Sequence, residues 1–112
     1  MRFYEINSVE EFDHFKTTMP ALLIYFSNEG CNVCKTLKPK VEFLVGQEFP
    51  KMSMVYVKTD VLSETAGQNR VFTIPTILIF FYGKETIRRI RNFSIEELIR
   101  EIKRPYSLIF PE

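Results

Sequence analysis

Two long apolar runs constrain the fold of this chain more than any other feature of its sequence. One, Ala21–Ser27, reads Ala-Leu-Leu-Ile-Tyr-Phe-Ser, and the other extends from Pro75 to Tyr82 with only Thr76 to break it. A strand that is apolar on both faces needs cover on both sides, which is typical of central strands between two helical layers. Both runs fall far below the roughly 18 apolar residues that span a membrane. We therefore expect a buried central sheet.

The rest of the chain alternates between strand and helix signals. Strands are predicted over about 2–6, 21–27, 52–59, 76–82 and 85–91, and helices over about 9–18, 31–47, 63–69 and 95–103. Ser8 and Glu11 have the spacing of a capping box that opens the first helix. Ser94 opens the last helix in the same way, and Pro105 is expected to stop it. The order β-α-β-α-β-α-β-β-α predicts an α/β fold, with a central mixed sheet of about five strands flanked by helices on both faces.

Length and charge set the broad class of protein. A chain of 112 residues buries roughly two-thirds of its unfolded surface. We expect one domain over residues 1–112, with 105–112 as a short C-terminal extension that packs on it. A net charge of +1 gives no attraction to nucleic acid or to a membrane surface. The first residues lack the apolar core of a signal peptide, which favours a cytoplasmic location unless a leader has been removed.

The only two cysteines, Cys31 and Cys34, stand where the second predicted strand turns into a helix. Beside a βαβ pattern, this C-x-x-C spacing is typical of a redox motif. Backbone N–H groups and the helix dipole favour a thiolate at a helix N-terminus. A pKa lowered from about 8.5 to about 7 speeds attack only about threefold, because nucleophilicity falls with the pKa. The larger benefit is geometric, since Cys34 is placed one turn on to resolve a mixed disulfide formed by Cys31.

Three other interpretations of the cysteine pair stay open. A purely structural disulfide would close a four-residue ring worth only about 2 kcal/mol, and a reducing cytosol would open it. A structural metal site needs four ligands, and the chain offers two cysteines and His14. Only a dimer could then complete a zinc or iron–sulfur site, so we assign no metal to the single chain. The third interpretation is a binding or redox-sensing module whose thiols do not turn over efficiently.

The sequence resembles the thioredoxin family at several positions, in the order of the family. These are the strand Leu22–Phe26, the motif Cys31-Asn32-Val33-Cys34-Lys35, the helix proline Pro39, Asp60, the tripeptide Ile74-Pro75-Thr76 and Gly83. The resemblance implies a thioredoxin-like fold and a protein-disulfide reductase, in which Cys31 attacks and Cys34 resolves without a cofactor. It also implies protein disulfide substrates, a disulfide reductase for recycling, and a monomer.

The resemblance also implies a substrate-binding surface made of Gly30, Ile74, Pro75 and Arg91. In the family, the proline that matches Pro75 is cis and faces the cysteines, and the backbone of the residue before it pairs with an extended substrate. Gly30 takes the place of the usual Trp. Arg91 stands where the family commonly has glycine. A cation there would stabilise the Cys31 thiolate, favour acidic substrates, or simply be solvated.

Two departures from the family pattern concern proton transfer. The family's buried Asp aligns with Tyr25, and its Lys partner aligns with Tyr56. In the family that Asp accepts the proton of the second thiol, whereas tyrosine, with a reference pKa near 10, is a poor base at pH 7. Proton transfer would then use water, Glu29 or the substrate thiolate. The missing acid and the missing Trp favour the binding module somewhat, and thiol–disulfide exchange remains the main hypothesis.

Overall fold

The structure is a computed structural model that describes residues 1–111. Its strands are β1 (Arg2–Glu5), β2 (Ala21–Ser27), β3 (Ser53–Lys58), β4 (Thr76–Phe81) and β5 (Lys84–Ile90), and its helices are α1 (Val9–Thr18), α2 (Asn32–Glu48), α3 (Ser63–Gln68) and α4 (Ile95–Ile109). The strands form one five-stranded sheet in the order β1-β3-β2-β4-β5. β1, β3 and β2 run parallel, β4 is antiparallel to β2, and β5 is antiparallel to β4. The predicted thioredoxin-like mixed sheet is confirmed.

Both faces of the central strand β2 are covered, as its apolar sequence predicts. Leu23 and Tyr25 pack in one core with side chains of α2 and α4. Leu22, Ile24 and Phe26 pack in the opposite core with side chains of α1 and α3. All five residues are at most 1% exposed. This burial of apolar area on both faces is the main favourable contribution to folding, and it fixes the position of the loop that follows β2.

The predicted capping residues open the first and last helices. The hydroxyl of Ser8 accepts a hydrogen bond from the backbone N–H of Glu11 at 3.1 Å, and that of Ser94 accepts one from Glu97 at 3.2 Å. Each cap satisfies an N–H group that has no partner within the helix, and is worth about 1 kcal/mol. Within residues 1–111, no helix is both long enough and apolar enough to cross a membrane.

The prediction that Pro105 stops the last helix is wrong, because α4 continues through this residue. An interior proline removes one backbone hydrogen bond and costs about 3 kcal/mol, but tertiary contacts hold the following turn. The ring of Tyr106 packs against Phe49 and Phe110, with centroid distances of 4.9 and 4.8 Å. Its hydroxyl accepts a hydrogen bond from the backbone N–H of Lys51 at 3.0 Å. The tail therefore packs on the domain as helix, and residue 112 of the predicted extension lies outside the described residues.

Candidate active site

Cys31 and Cys34 form a disulfide at the N-terminal end of α2, with their Cα atoms 5.2 Å apart. Cys31 is the N-cap residue of this helix, and its sulfur accepts a hydrogen bond from the backbone N–H of Cys34 at 3.1 Å. The same N–H favours a negative charge on the Cys31 sulfur once the disulfide is reduced. Cys31 is half-buried, whereas Cys34 is only 2% exposed. Cys31 is therefore the more accessible sulfur of the pair, and Cys34 is shielded.

The loop between β2 and α2 presents Cys31 on an open surface. The side-chain oxygen of Asn28 accepts a hydrogen bond from the backbone N–H of Gly30 at 3.0 Å, and the Asn28 carbonyl accepts one from the N–H of Cys31 at 3.3 Å. A Cβ atom at Gly30 would meet only the side-chain oxygen of Asn28, at 3.7 Å. The backbone therefore does not require glycine at this exposed position. Its effect is to leave the surface beside Cys31 without a side chain.

The structure brings the predicted docking residues Ile74 and Pro75 to the same end of the sheet as the cysteines. The bond between them is cis, as the resemblance implies. Pro75 is buried, and Ile74 is half-buried in the same apolar cluster as Cys31 and Cys34. Thr76 pairs with Phe26 near the end of β2, so Ile74 and Pro75 lie at the end of the sheet from which the loop to Cys31 departs.

Arg91 contacts this docking segment directly and is not merely a solvated residue at the end of β5. It has a left-handed backbone with φ of 52°, which costs a side-chain-bearing residue about 1 kcal/mol and suits the glycine common in the family. Its backbone N–H donates to the carbonyl of Pro75 at 2.8 Å. Its guanidinium Nη1 donates to the carbonyl of Ile74 at 3.0 Å. Arg91 therefore borders the predicted substrate-binding surface.

On the inner side of the disulfide, two tyrosines replace the ionisable pair of the family. The hydroxyl of Tyr25 donates to the carbonyl of Cys34 at 2.7 Å. Its ring meets that of Tyr56 edge-on, with centroids 6.3 Å apart. Burial, and next the negative charge of Glu42, raise the pKa of Tyr25 well above its usual value. Burial, followed by hydrogen bonding to Glu42, raises the pKa of Tyr56 as well. Both hydroxyls stay protonated at neutral pH and act as donors, not bases.

Sequence reasoning missed Glu42, whose carboxylate accepts a hydrogen bond from the hydroxyl of Tyr56. The ammonium group of Lys38 lies 4.2 Å from the centroid of the Tyr56 ring. Residues 34, 38 and 42 are four apart, which places Cys34, Lys38 and Glu42 on one face of α2. That spacing was the available signal. The spacing alone does not show which residue this helix face contacts, because that residue, Tyr56, comes from β3.

A small cleft of about 110 Å³ reaches Cys34 from the protein surface, and its walls include Glu29, Lys38, Tyr56 and Lys58. Glu29, one of the predicted proton acceptors, forms an ion pair with Lys58 at 3.2 Å. Hydrogen bonds to Glu29, and next to Glu5, raise the pKa of Lys58. The cleft therefore opens from the surface toward the second cysteine, and Glu29 shares its cation Lys58 with Glu5.

The structure gives no support to a metal site within one chain. Across residues 1–111, no three His, Cys, Asp or Glu side chains come close enough together to hold a metal ion. His14 is exposed on α1 beside Phe15, with ring centroids 6.0 Å apart.

Comparison with known proteins agrees with this geometry. The family model described as Thioredoxin matches residues 4–104. The thioredoxin-like protein YdfQ of Bacillus subtilis is 32% identical over 103 residues, which cover 92% of this chain and 91% of that protein. Thioredoxin of Chlamydia trachomatis is 35% identical over 83 residues, covering 74% of this chain and 80% of that protein. The crystal structure of thioredoxin from Trypanosoma brucei brucei superposes with a TM-score of 0.79 at 26% identity, covering 88% of this chain and 86% of that one.

Family, fold and a cysteine pair at disulfide distance together support thiol–disulfide oxidoreductase chemistry in general. The sequence resemblance is confirmed by a family model that spans nearly the whole chain. This chain therefore belongs to the thioredoxin family.

Proposed function

We propose that this protein reduces disulfides in other proteins through Cys31 and Cys34. The observation that carries the proposal is the unequal exposure of the pair at the start of α2. Cys31 is half-buried at the N-cap, and Cys34 is 2% exposed behind it. Attack needs an accessible thiolate, whereas resolution needs a thiol close to the first sulfur and protected from other reactions.

The reaction proceeds in two exchange steps. In the first, the Cys31 thiolate attacks one sulfur of the substrate disulfide, a mixed disulfide forms, and the other substrate sulfur leaves as a thiolate. In the second, Cys34 loses its proton and attacks the sulfur of Cys31, and the remaining substrate sulfur leaves as a thiolate. Two electrons pass from the dithiol to the substrate. A separate disulfide reductase supplies two electrons to restore the dithiol, and no cofactor is needed.

Docking uses the surface formed by Gly30, Ile74, Pro75 and Arg91. An extended substrate pairs with the backbone of Ile74 while its disulfide lies against Cys31. The open surface at Gly30 admits a bulky segment on that side. The proton of Cys34 leaves through water in the adjacent cleft, because Tyr25 and Tyr56 remain protonated donors. We expect the protein to act as a monomer in the cytoplasm.

Reduction of insulin, followed as turbidity with dithiothreitol as the electron source, tests this function. Cys31→Ser should abolish activity above the dithiothreitol background. Cys34→Ser should trap mixed disulfides that survive non-reducing electrophoresis. If both variants keep full activity, the exchange mechanism is wrong.

A docking module without turnover is the second candidate, and the replacement of the family's ionisable pair by Tyr25 and Tyr56 favours it. Alkylation of reduced Cys31 across a range of pH separates the two candidates. A Cys31 pKa clearly below 8.5 together with insulin reduction supports the reductase. A Cys31 pKa at or above 8.5 without turnover supports the docking module.

A further inference from the structure

We propose that Arg91 makes the docking surface selective for substrates that carry a carboxylate within about two residues of their reactive cysteine. The inference rests on the proposed function, because it assumes that an extended segment pairs with Ile74. It adds a substrate class, acidic peptide segments, to that function.

Arg91 makes two hydrogen bonds to the docking segment, one from its backbone and one from its guanidinium. The left-handed backbone at Arg91 turns its N–H to the carbonyl of Pro75 at 2.8 Å, and its Nη1 reaches the carbonyl of Ile74 at 3.0 Å. A guanidinium has five N–H donors, and the contact with Ile74 uses one of them. The others are held beside the path of a peptide that pairs with Ile74. Because the guanidinium is already held in place, Arg91 loses little side-chain entropy when a ligand binds.

Arg91 differs from its neighbours on β5 in having no carboxylate partner. Arg88 binds both carboxylate oxygens of Glu85 at 2.9 Å, and Arg89 forms an ion pair with Glu101. Among residues 1–111, no carboxylate oxygen lies within 4.0 Å of a side-chain nitrogen of Arg91. The charge of Arg91 is therefore available to a ligand.

The other charges around the cysteines favour an anionic ligand as well. Lys58 is shared between Glu29, the acidic residue of the loop before Cys31, at 3.2 Å and Glu5 at 3.4 Å. Lys35 and Lys38 line the cleft at Cys34, and neither forms an ion pair with a carboxylate of the described chain. An acidic segment would meet the cations Arg91, Lys35 and Lys38, which are unpaired among the described residues, and this speeds association and disfavours basic competitors.

The contact between Arg91 and Ile74 sets how far the carboxylate can lie from the substrate cysteine. Residues of an extended strand are about 3.3 Å apart along its length. Ile74 lies just before β4, whose residue Thr76 pairs with Phe26 near the end of the strand that leads to Cys31. A peptide residue opposite Ile74 is then only one or two positions from the sulfur under attack. An Asp or Glu at that position can accept a bidentate pair of hydrogen bonds from the free edge of the guanidinium.

The test uses short synthetic peptides, each with one cysteine as a mixed disulfide with 2-thiopyridine. The peptides differ only at the residues flanking the cysteine, which are Asp, Asn or Lys. The rate constant for their reaction with the reduced protein is followed by release of thiopyridone. Wild type should react about three- to fivefold faster with the Asp peptide than with the Asn peptide, and slowest with the Lys peptide. The preference for the Asp peptide should shrink in 0.5 M salt, because the Debye length falls to about 4 Å and the charges are screened.

Arg91→Gln should remove the preference for Asp, so that the Asp and Asn peptides react at equal rates. Arg91→Lys should keep part of the preference, because it keeps the charge and loses the bidentate geometry. Arg104→Gln on α4 makes the same change in net charge away from the docking segment, and should keep the full preference. Circular dichroism and a thermal melt check that each variant is folded.

Three results would overturn the inference while leaving the reductase function in place. In the first, wild type reacts equally fast with the Asp and Asn peptides. In the second, the Arg91→Gln variant still prefers the Asp peptide. In the third, Arg91→Gln speeds the reaction of all peptides equally. The last would mean that Arg91 only covers the Ile74 carbonyl. If wild type reacts with no peptide and does not reduce insulin, the proposed function itself fails, and the inference fails with it.

Discussion

The outer and inner surroundings of the Cys31–Cys34 pair are built from opposite kinds of groups. The outer side is exposed and charged, and there Arg91 reaches the docking segment through a carbonyl of Ile74. On the inner side, Tyr25 is fully buried and donates to the carbonyl of Cys34. Outside, the docking segment is contacted by the charged Arg91, while within, Cys34 is contacted by the neutral hydroxyl of Tyr25. We infer that specificity is decided on the outer side and stability on the inner side.

The largest effect is expected from Tyr25→Asp, which places the family's acid on the inner side. The shorter side chain leaves a cavity, and its carboxyl is buried without the family's lysine. We expect a loss of about 4 kcal/mol in the free energy of unfolding at pH 7. Burial raises the pKa of a carboxyl in the folded state, so this loss should grow as the pH rises above about 4 and level off beyond the folded-state pKa. Urea unfolding from pH 4 to pH 8 measures the loss of stability. A loss that does not depend on pH would contradict the burial of the new carboxyl.

The next effect concerns the stability of the wild type in alkali. The pKa values of Tyr25 and Tyr56 are raised in the folded state, so the unfolded chain releases these protons first and stability should fall above pH 10. The two groups together should cost roughly 3 kcal/mol by pH 11. Unfolding at pH 9 and pH 11 measures the loss. Tyr25→Phe should remove about half of it, whereas Tyr82→Phe, at an exposed position, should leave it unchanged.

A smaller loss is expected when only the hydroxyl on the inner side is removed. Tyr25→Phe keeps the ring and leaves the carbonyl of Cys34 without this donor, which should cost about 1 to 2 kcal/mol at pH 7. The exposed tyrosine variant Tyr82→Phe is the matched control and should change stability by less than about 0.5 kcal/mol. Equal stabilities of the two variants would show that the hydrogen bond to Cys34 contributes nothing.

The smallest effect on stability is expected on the outer side. Gly30→Ala adds a methyl group at an exposed position where the nearest atom to the new Cβ is 3.7 Å away. The free energy of unfolding should change by less than about 0.5 kcal/mol, and insulin reduction should stay within about twofold of wild type. Gly83→Ala is the contrasting control, since the positive φ of 78° at Gly83 disfavours any side chain. A loss above 1 kcal/mol for Gly30→Ala would contradict the inference that the outer side contributes little to stability.

The sequence was sufficient wherever structure is decided by local pattern. The apolar run of β2 predicted a strand covered on both faces, and the spacing of Ser8 and Ser94 from acidic residues predicted two helix starts. The rule for Pro105 failed because the following turn is held by Phe49 and Lys51, more than fifty residues earlier in the chain. Local propensity contains no information about such contacts.

The position of the candidate site could be predicted from its motif, but its inner environment could not. Cys31, Cys34 and the Ile-Pro-Thr tripeptide are short signals whose order along the chain is visible in the sequence. The bond from Tyr56 to Glu42 depends on how β3 lies against α2. The bond from Arg91 to Ile74 depends on a left-handed residue at the end of β5. Both are set by tertiary geometry, which spacing along one element does not reveal.

The hydrogen bond from Tyr25 to Cys34 also bears on how this protein can evolve. A buried acid beside the thiols would tie folding stability to redox chemistry, so that one substitution changes both. Here the contact to Cys34 is made by a neutral group. If Gly30 and Arg91 contact substrates as proposed, substitutions at these exposed positions change partner choice with little cost to the fold. Proteins with this arrangement can then acquire new substrates through surface substitutions alone. Such substitutions need no compensating mutations, because they avoid a trade-off between stability and activity.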